Sequence, residues 1–246
     1  MRTAGGMGLQ FPPGWVAFSH MVRLVLFDID GTLINTGGAG VRAFERAFAE
    51  EFSIPDGTQR LSFCGRTDSS LVREFFLMNG IEPSPHNFER FFRAYVALLK
   101  TQIRDCTGGL CQGVEGFLAE LEAMAQPPAI GLLTGNIRQG AEIKLTHFGI
   151  WHRFAFGGFA DDHEDRDQIA AVARERGSRQ LDRPLEGREI VVIGDTPLDI
   201  RCGRAIGAKV LAVATGMISK PELALRKPDW VVDDLSQVSA GEVLGC

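Results

Sequence analysis

Cysteine is scarce in this chain. Cys64, Cys106, Cys111, Cys202 and Cys246 are its five thiols, too scattered for a disulfide framework, and no histidine or cysteine pair completes a zinc set around them. All five are expected to be plain thiols, which suits a reducing, cytoplasmic setting. Positive charge is also lacking: the formal net charge is -5. There is no basic patch and no interleaving of basic with aromatic residues, so no nucleic-acid partner is expected. Residues 1–20 are rich in Gly and Pro, carry one arginine and contain no continuous apolar stretch. They make neither a signal peptide nor a membrane span, and no membrane partner is expected. Residues 1–21 read as a disordered leader, with Met21 standing directly before the first strand as an alternative start.

The 246 residues are 45% hydrophobic and 23% charged, enough for a core domain with a smaller domain inserted. The first strong element is Val22-Arg23-Leu24-Val25-Leu26-Phe27, which stops abruptly in Asp28-Ile29-Asp30-Gly31-Thr32. An apolar run ending in acids and glycine predicts a buried parallel strand whose C-terminal end opens into a site. From residue 38 the pattern turns helical. Val41, Phe44, Phe48 and Phe52 form one stripe, Leu71, Val72, Phe75 and Phe76 a second, and Phe88, Phe91, Phe92, Tyr95, Leu98 and Leu99 a third.

After residue 113 strands and helices alternate again. Ala129-Ile130-Gly131-Leu132-Leu133 ends in Thr134-Gly135-Asn136, and Ile190-Val191-Val192-Ile193 ends in Gly194-Asp195-Thr196. A short strand is expected at 154–156, and helices at 139–147, 167–176 and 199–206. Further strands are expected at 209–213 and 230–232, with Asp233 or Asp234 capping a last short helix. The expected fold is α/β: a Rossmann-like parallel sheet core at 22–37 and 113–246, with an all-helical cap at 38–112.

Three strands thus end in polar clusters on one edge of the sheet: Asp28 with Asp30, Thr134 with Asn136, and Asp195 with Asp199. Ligands bind at that edge in such sheets. Carboxylates gathered there repel one another unless a cation lies between them, and a hard cation with oxygen ligands also bridges to phosphate. Helix capping accounts for one aspartate per loop but poorly for the Asp28-Ile29-Asp30-Gly31-Thr32 run.

These motifs resemble those of the haloacid-dehalogenase-like (HAD) superfamily, in the helical-cap, phosphoglycolate-phosphatase-like branch. The resemblance spans residues 22–235. It implies that Asp28 is a nucleophile forming an aspartyl phosphate, and that Asp30 is the general acid and base. Gly31 and Thr32 would face the phosphoryl oxygens, Thr134 would hydrogen-bond them, and Gly135 and Asn136 would complete that second motif. Magnesium would be held by Asp28, Asp195 and the backbone carbonyl of Asp30, with Asp199 orienting groups behind them. Here the chain departs from the usual pattern, because the lysine-proline pair of the third motif is absent. Lys144 is the preferred replacement, followed by Arg166 and then His163. Arg66, in Gly65-Arg66-Thr67-Asp68, would meet the substrate from the cap, unless Arg66 is exposed and Asp68 only caps the following helix.

The implied function is magnesium-dependent hydrolysis of a small phosphorylated metabolite, 2-phosphoglycolate being the narrowest expectation, by a monomer or homodimer. The alternatives are a β-phosphoglucomutase-like phosphomutase and a catalytically silent module on the same fold. The presence of both Asp28 and Asp30 speaks against the silent module.

Overall fold

The structure, a computed structural model, describes residues 21–55 and 57–245. The leader expectation therefore lies outside the described residues except for Met21, as does Cys246. Cys64, Cys106, Cys111 and Cys202 are free thiols.

Six parallel strands form the main sheet in the order β5-β4-β1-β6-β7-β8. They are β1 (Leu24–Phe27), β4 (Ala129–Leu133), β5 (Phe156–Gly158), β6 (Ile190–Gly194), β7 (Lys209–Val213) and β8 (Trp230–Val232). β1 lies between β4 and β6 and is fully buried, and its side chains alternate between two cores. Val25 and Phe27 join one apolar cluster with α4 (Val114–Ala123), α5 (Arg138–His147) and α9 (Ala240–Leu244). Leu24 and Leu26 join the other with α6 (Arg166–Gln180) and α7 (Pro197–Ala205). A strand covered on both faces has no solvent side, which is why its sequence is a continuous apolar run. The short α8 (Lys220–Ala224) packs Leu223 over the β7 end of the sheet.

Between β1 and α4 the chain leaves the sheet. A two-residue strand β2 (Ile34–Asn35) pairs antiparallel with β3 (Gly109–Leu110), and the chain between them carries α1 (Ala39–Phe52), α2 (Asp68–Met78) and α3 (Pro85–Gln102). These helices pack around Phe44, Phe48, Phe75, Phe76, Phe91 and Tyr95, all at most 1% exposed. Edge-to-face and stacked ring contacts link them, among them Phe44 with Phe91 and Phe48 with Phe75. The sheet domain contributes only Ile137 and Ala160 to the buried part of this cluster.

Some local expectations shift. The strand expected at 154–156 runs instead over Phe156–Gly158, and Phe154 points into the core beside Phe27. Val41, expected to pack in the first stripe, is 40% exposed; Ala43 and Ala47 fill the buried face with Phe44 and Phe48. Asp234 caps a single 3-10 turn at Leu235–Gln237, and Ser239 caps α9. No described helix is long and apolar enough to cross a membrane.

Phe48 touches the rings of Phe44, Phe52, Phe75, Phe76 and Phe91. Truncating Phe48→Ala is expected to cost about 3–5 kcal/mol, read as a lower midpoint in urea unfolding.

Candidate active site

The sheet brings the ends of β1, β4 and β6 side by side, and the first turn of α6 comes to the same edge. Asp28 follows β1 directly, its N–H donating to Ile193 O at 2.9 Å, so its position is fixed by the sheet. Asp28, Asp195 and Asp199 each offer a carboxylate oxygen within 4.8 Å of the others, and all three are buried.

Arg166 lies among them. Its Nη2 donates to Asp28 Oδ1 at 3.2 Å, to Leu133 O at 3.3 Å and, at close range, to Asp199 Oδ1. The guanidinium is 3% exposed. Burial works against its charge, but Asp199 and Asp28 more than offset this and hold it above its ordinary range. Asp199 has both oxygens engaged, because its Oδ2 accepts from Thr196 N at 2.9 Å and Thr196 Oγ1 at 2.6 Å. That pairing also closes the N-terminus of α7. Asp199 therefore sits behind the cluster as an anchor for Arg166, leaving Asp28 and Asp195 as the carboxylates at its open side.

Lys144 serves a different carboxylate. From α5 it is 4% exposed, and its Nζ donates to Asp30 Oδ2 and to Asn136 Oδ1, each at 2.6 Å. Asn136 Nδ2 in turn donates to Asp30 Oδ2 at 2.8 Å and to Thr134 Oγ1 at 2.9 Å. The Asp30 side chain is thus held through Oδ2 by Lys144 and Asn136, and it is not one of the three clustered acids. His163 accepts from the Asp165 N–H at 2.9 Å and does not line the cavity, whereas Lys144 and Arg166 both do. Where one cation was expected beside the acids, the structure has two, each on a different aspartate.

The residues fit a hard cation. The donors are oxygens, and burial, the largest cause, pushes Asp28 up to about 7 and Asp195 up to about 8. Asp199 and Asp30 push Asp28 further up, and Asp199 and Asp28 do the same to Asp195; Arg166 pulls both back. Ionising both calls for positive charge beyond Arg166. Thr32 Oγ1 donates to Asp195 Oδ1 at 3.1 Å. Gly31, at φ 85°, turns the chain beneath Asp195, where an added Cβ would lie 2.5 Å from Asp195 Oδ2.

The helical segment meets this edge through the start of α2. Asp68 N–H donates to Gly135 O at 2.7 Å, and Asp68 Oδ2 accepts from Ile137 N at 2.8 Å. Thr67 Oγ1 donates to Glu164 O at 2.8 Å, Ser69 Oγ to Ala160 O at 3.0 Å, and Arg166 Nη1 to Gly65 O at 3.0 Å. An added Cβ on Gly135 would fall 2.2 Å from Arg66 O, so glycine is what lets the two backbones meet. Thr67, not Asp68, is the N-cap of α2, which leaves Asp68 to bridge the two halves. Sequence reading missed that bridge because its partners, Gly135 O and Ile137 N, are backbone groups far along the chain, the latter 69 residues away. It also missed Thr215, whose Oγ1 donates to Gly31 O at 2.5 Å. Arg66 does line the cavity, but its Nη1 pairs with Glu74 Oε2 at 2.5 Å.

Stability should report the buried acids. Asp28 and Asp195 keep their protons in the folded chain over a range where the unfolded chain, at 3.8, has lost them. Without divalent cations, stability contributed by these two should therefore fall as pH rises from 3.8 toward about 8. Asp195→Asn is expected to raise the melting temperature at pH 8 in EDTA, and, if the parent protein is stabilised further by magnesium, to abolish that rise. Differential scanning fluorimetry at pH 5 and 8, with and without magnesium, checks both.

Comparison with known proteins agrees with this architecture. Residues 25–213 match the family described as haloacid dehalogenase-like hydrolase. The chain is 24% identical to a probable phosphatase, IndB, of Dickeya dadantii over 89% of its own length and 92% of that protein's. It is 26% identical to a phosphoglycolate phosphatase of Rhodobacter capsulatus, covering 83% of this chain and 90% of the relative. The crystal structure of CbbY from Rhodobacter sphaeroides in complex with phosphate superposes with a TM-score of 0.72 at 18% identity, covering 92% of this chain and 100% of that one. This likeness supports the fold alone. With residues 25–213 matched, the chain belongs to the haloacid dehalogenase-like hydrolase family.

Proposed function

We propose that this protein is a magnesium-dependent phosphomonoester hydrolase that works through an aspartyl phosphate on Asp28. The observation that carries the reading is the division of cations: Arg166 holds Asp28 at 3.2 Å while Lys144 holds Asp30 at 2.6 Å. Two carboxylates two residues apart are thereby given separate surroundings, as separate chemical roles require.

In the first step an Asp28 oxygen attacks phosphorus and the bond to the leaving alcohol breaks. Asp30, positioned by Lys144 and Asn136, gives its proton to the departing oxygen. In the second step Asp30 takes a proton from water, whose oxygen attacks phosphorus and releases Asp28. Thr134 and the amides beside Gly31 and Thr32 face the phosphoryl oxygens. Asp28, Asp195 and the Asp30 carbonyl would hold magnesium, which supplies positive charge between a carboxylate and an anionic ester. The helical segment, residues 38–112, serves as a cap over the core at 22–37 and 113–246, and closing it excludes bulk water.

The names of the relatives support phosphate-ester chemistry. 2-Phosphoglycolate, the compound implied by the name of the Rhodobacter capsulatus relative, is the narrowest candidate substrate that the resemblance offers, and the charge of the cavity argues against it below.

Phosphate release from a panel of phosphomonoesters should require magnesium, stop with EDTA and return when magnesium is restored. Asp28→Asn should lower it by at least about 10³-fold, and release no greater than that of the variant would sink the reading. Gly135→Ala should displace the Arg66 backbone, leaving the circular dichroism spectrum native while turnover falls by about 10²-fold.

A further inference from the structure

The cavity over the strand ends has a volume of about 310 Å³ and extends from Asp28 and Thr134 into the helical segment. Its lining holds four carboxylates, Asp28, Asp30, Asp68 and Asp195, against three cations, Lys144, Arg66 and Arg166. Lys144 and Arg166 lie at the phosphoryl end and are engaged with Asp30 and Asp28. Arg66 is the lining cation on the cap side, and Glu74 holds it at 2.5 Å. Asp68 faces the same space, fixed by Ile137 N.

The rest of the cap wall is apolar: Val41, Phe44, Phe63 and Leu71 line it. Tyr95, the sole tyrosine of the chain, completes it. The ring is packed among the phenylalanines, and its hydroxyl has no hydrogen-bond partner among the described residues. Because Tyr95 lines the cavity, that hydroxyl is the one polar group of this wall left for a ligand that reaches it.

A second anion on the substrate would meet the Asp68 carboxylate and an apolar wall, and it would find its nearest cation already paired. Burying a charge without a partner is costly, whereas an uncharged group with an apolar face meets no such penalty. Resting on the hydrolase reading above, we propose that the leaving group is an uncharged alcohol. It lays an apolar face against Phe44, Phe63 and Leu71 and offers a hydroxyl to Tyr95. Substrates with a carboxylate or a second phosphate in that position are disfavoured, 2-phosphoglycolate included. The Arg66–Glu74 pair is partly exposed and therefore weak, so on the cap side it is the contact an anionic substrate would have to break.

The test compares kcat/KM for glycerol 3-phosphate with that for 3-phosphoglycerate, a pair that differs in carrying a hydroxymethyl or a carboxylate group. Phenyl phosphate serves as the reference. Release from phenyl phosphate that Asp28→Asn abolishes establishes the hydrolase first; its absence would overturn that reading and this inference together. The wild type should prefer glycerol 3-phosphate by at least about tenfold. Glu74→Gln, which frees Arg66, should narrow that ratio by about two- to fivefold. Tyr95→Phe should lower kcat/KM for glycerol 3-phosphate more than for phenyl phosphate, which has no second hydroxyl. With the hydrolase established, 3-phosphoglycerate or 2-phosphoglycolate turned over as well as glycerol 3-phosphate would overturn the inference and leave the hydrolase standing.

Discussion

The placement of Arg166 is the constraint on which the sheet edge depends. A parallel sheet buried on both faces delivers Asp28 and Asp195 to its C-terminal end with little water around them, and Asp199 enters from the following helix with none. Three buried acids within 4.8 Å would not stay assembled on hydrogen bonds alone. One guanidinium, entering from the first turn of α6, bridges Asp28 and Asp199 and also reaches Leu133 O and Gly65 O. Removing one partner of such a buried network costs about 3–5 kcal/mol, because the remaining charges stay behind uncompensated. The same side chain thus holds the acidic edge of the sheet together and takes hold of the helical segment.

That segment meets the core largely through polar contacts, with few buried apolar residues from the core. Its own interior is a dense cluster of aromatic rings, but among buried apolar residues the core adds only Ile137 and Ala160. Much of the junction is instead polar and local: the Asp68 bonds to Gly135 and Ile137, and those of Thr67 and Ser69 to backbone carbonyls. Polar contacts can be exchanged for water at a modest net cost, whereas a large apolar interface cannot. The junction is therefore suited to parting and closing as a unit. Because it meets the Thr134-Gly135-Asn136 loop, the position of the helical segment and the geometry of that loop are set together.

The cavity follows from both arrangements. Its floor is made of charged groups engaged with one another, and its roof is the inner surface of an aromatic cluster. A ligand must satisfy both: the charged floor and, above it, a wall that is apolar apart from Arg66, Asp68 and Tyr95.

Much of this was readable in the residues. The apolar runs ending in Asp28, Thr134 and Asp195 determined a parallel sheet with a polar edge, since only a strand buried on both faces needs so continuous a run. The aromatic stripes between residues 38 and 112 determined the helical insertion, and the acid spacing identified the candidate chemistry. Local boundaries moved by a residue or two, as at β5, where Phe154 was drawn into the core. The sequence did not decide which cation serves which acid, because Lys144 lies 114 residues from Asp30, and Arg166 138 from Asp28. Nor did it show that Asp68 reaches across to Ile137, or that Tyr95 lines the cavity. Local periodicity records which face of an element is buried; which charges meet across the interior is settled only when the chain closes, by distances no spacing along it can encode.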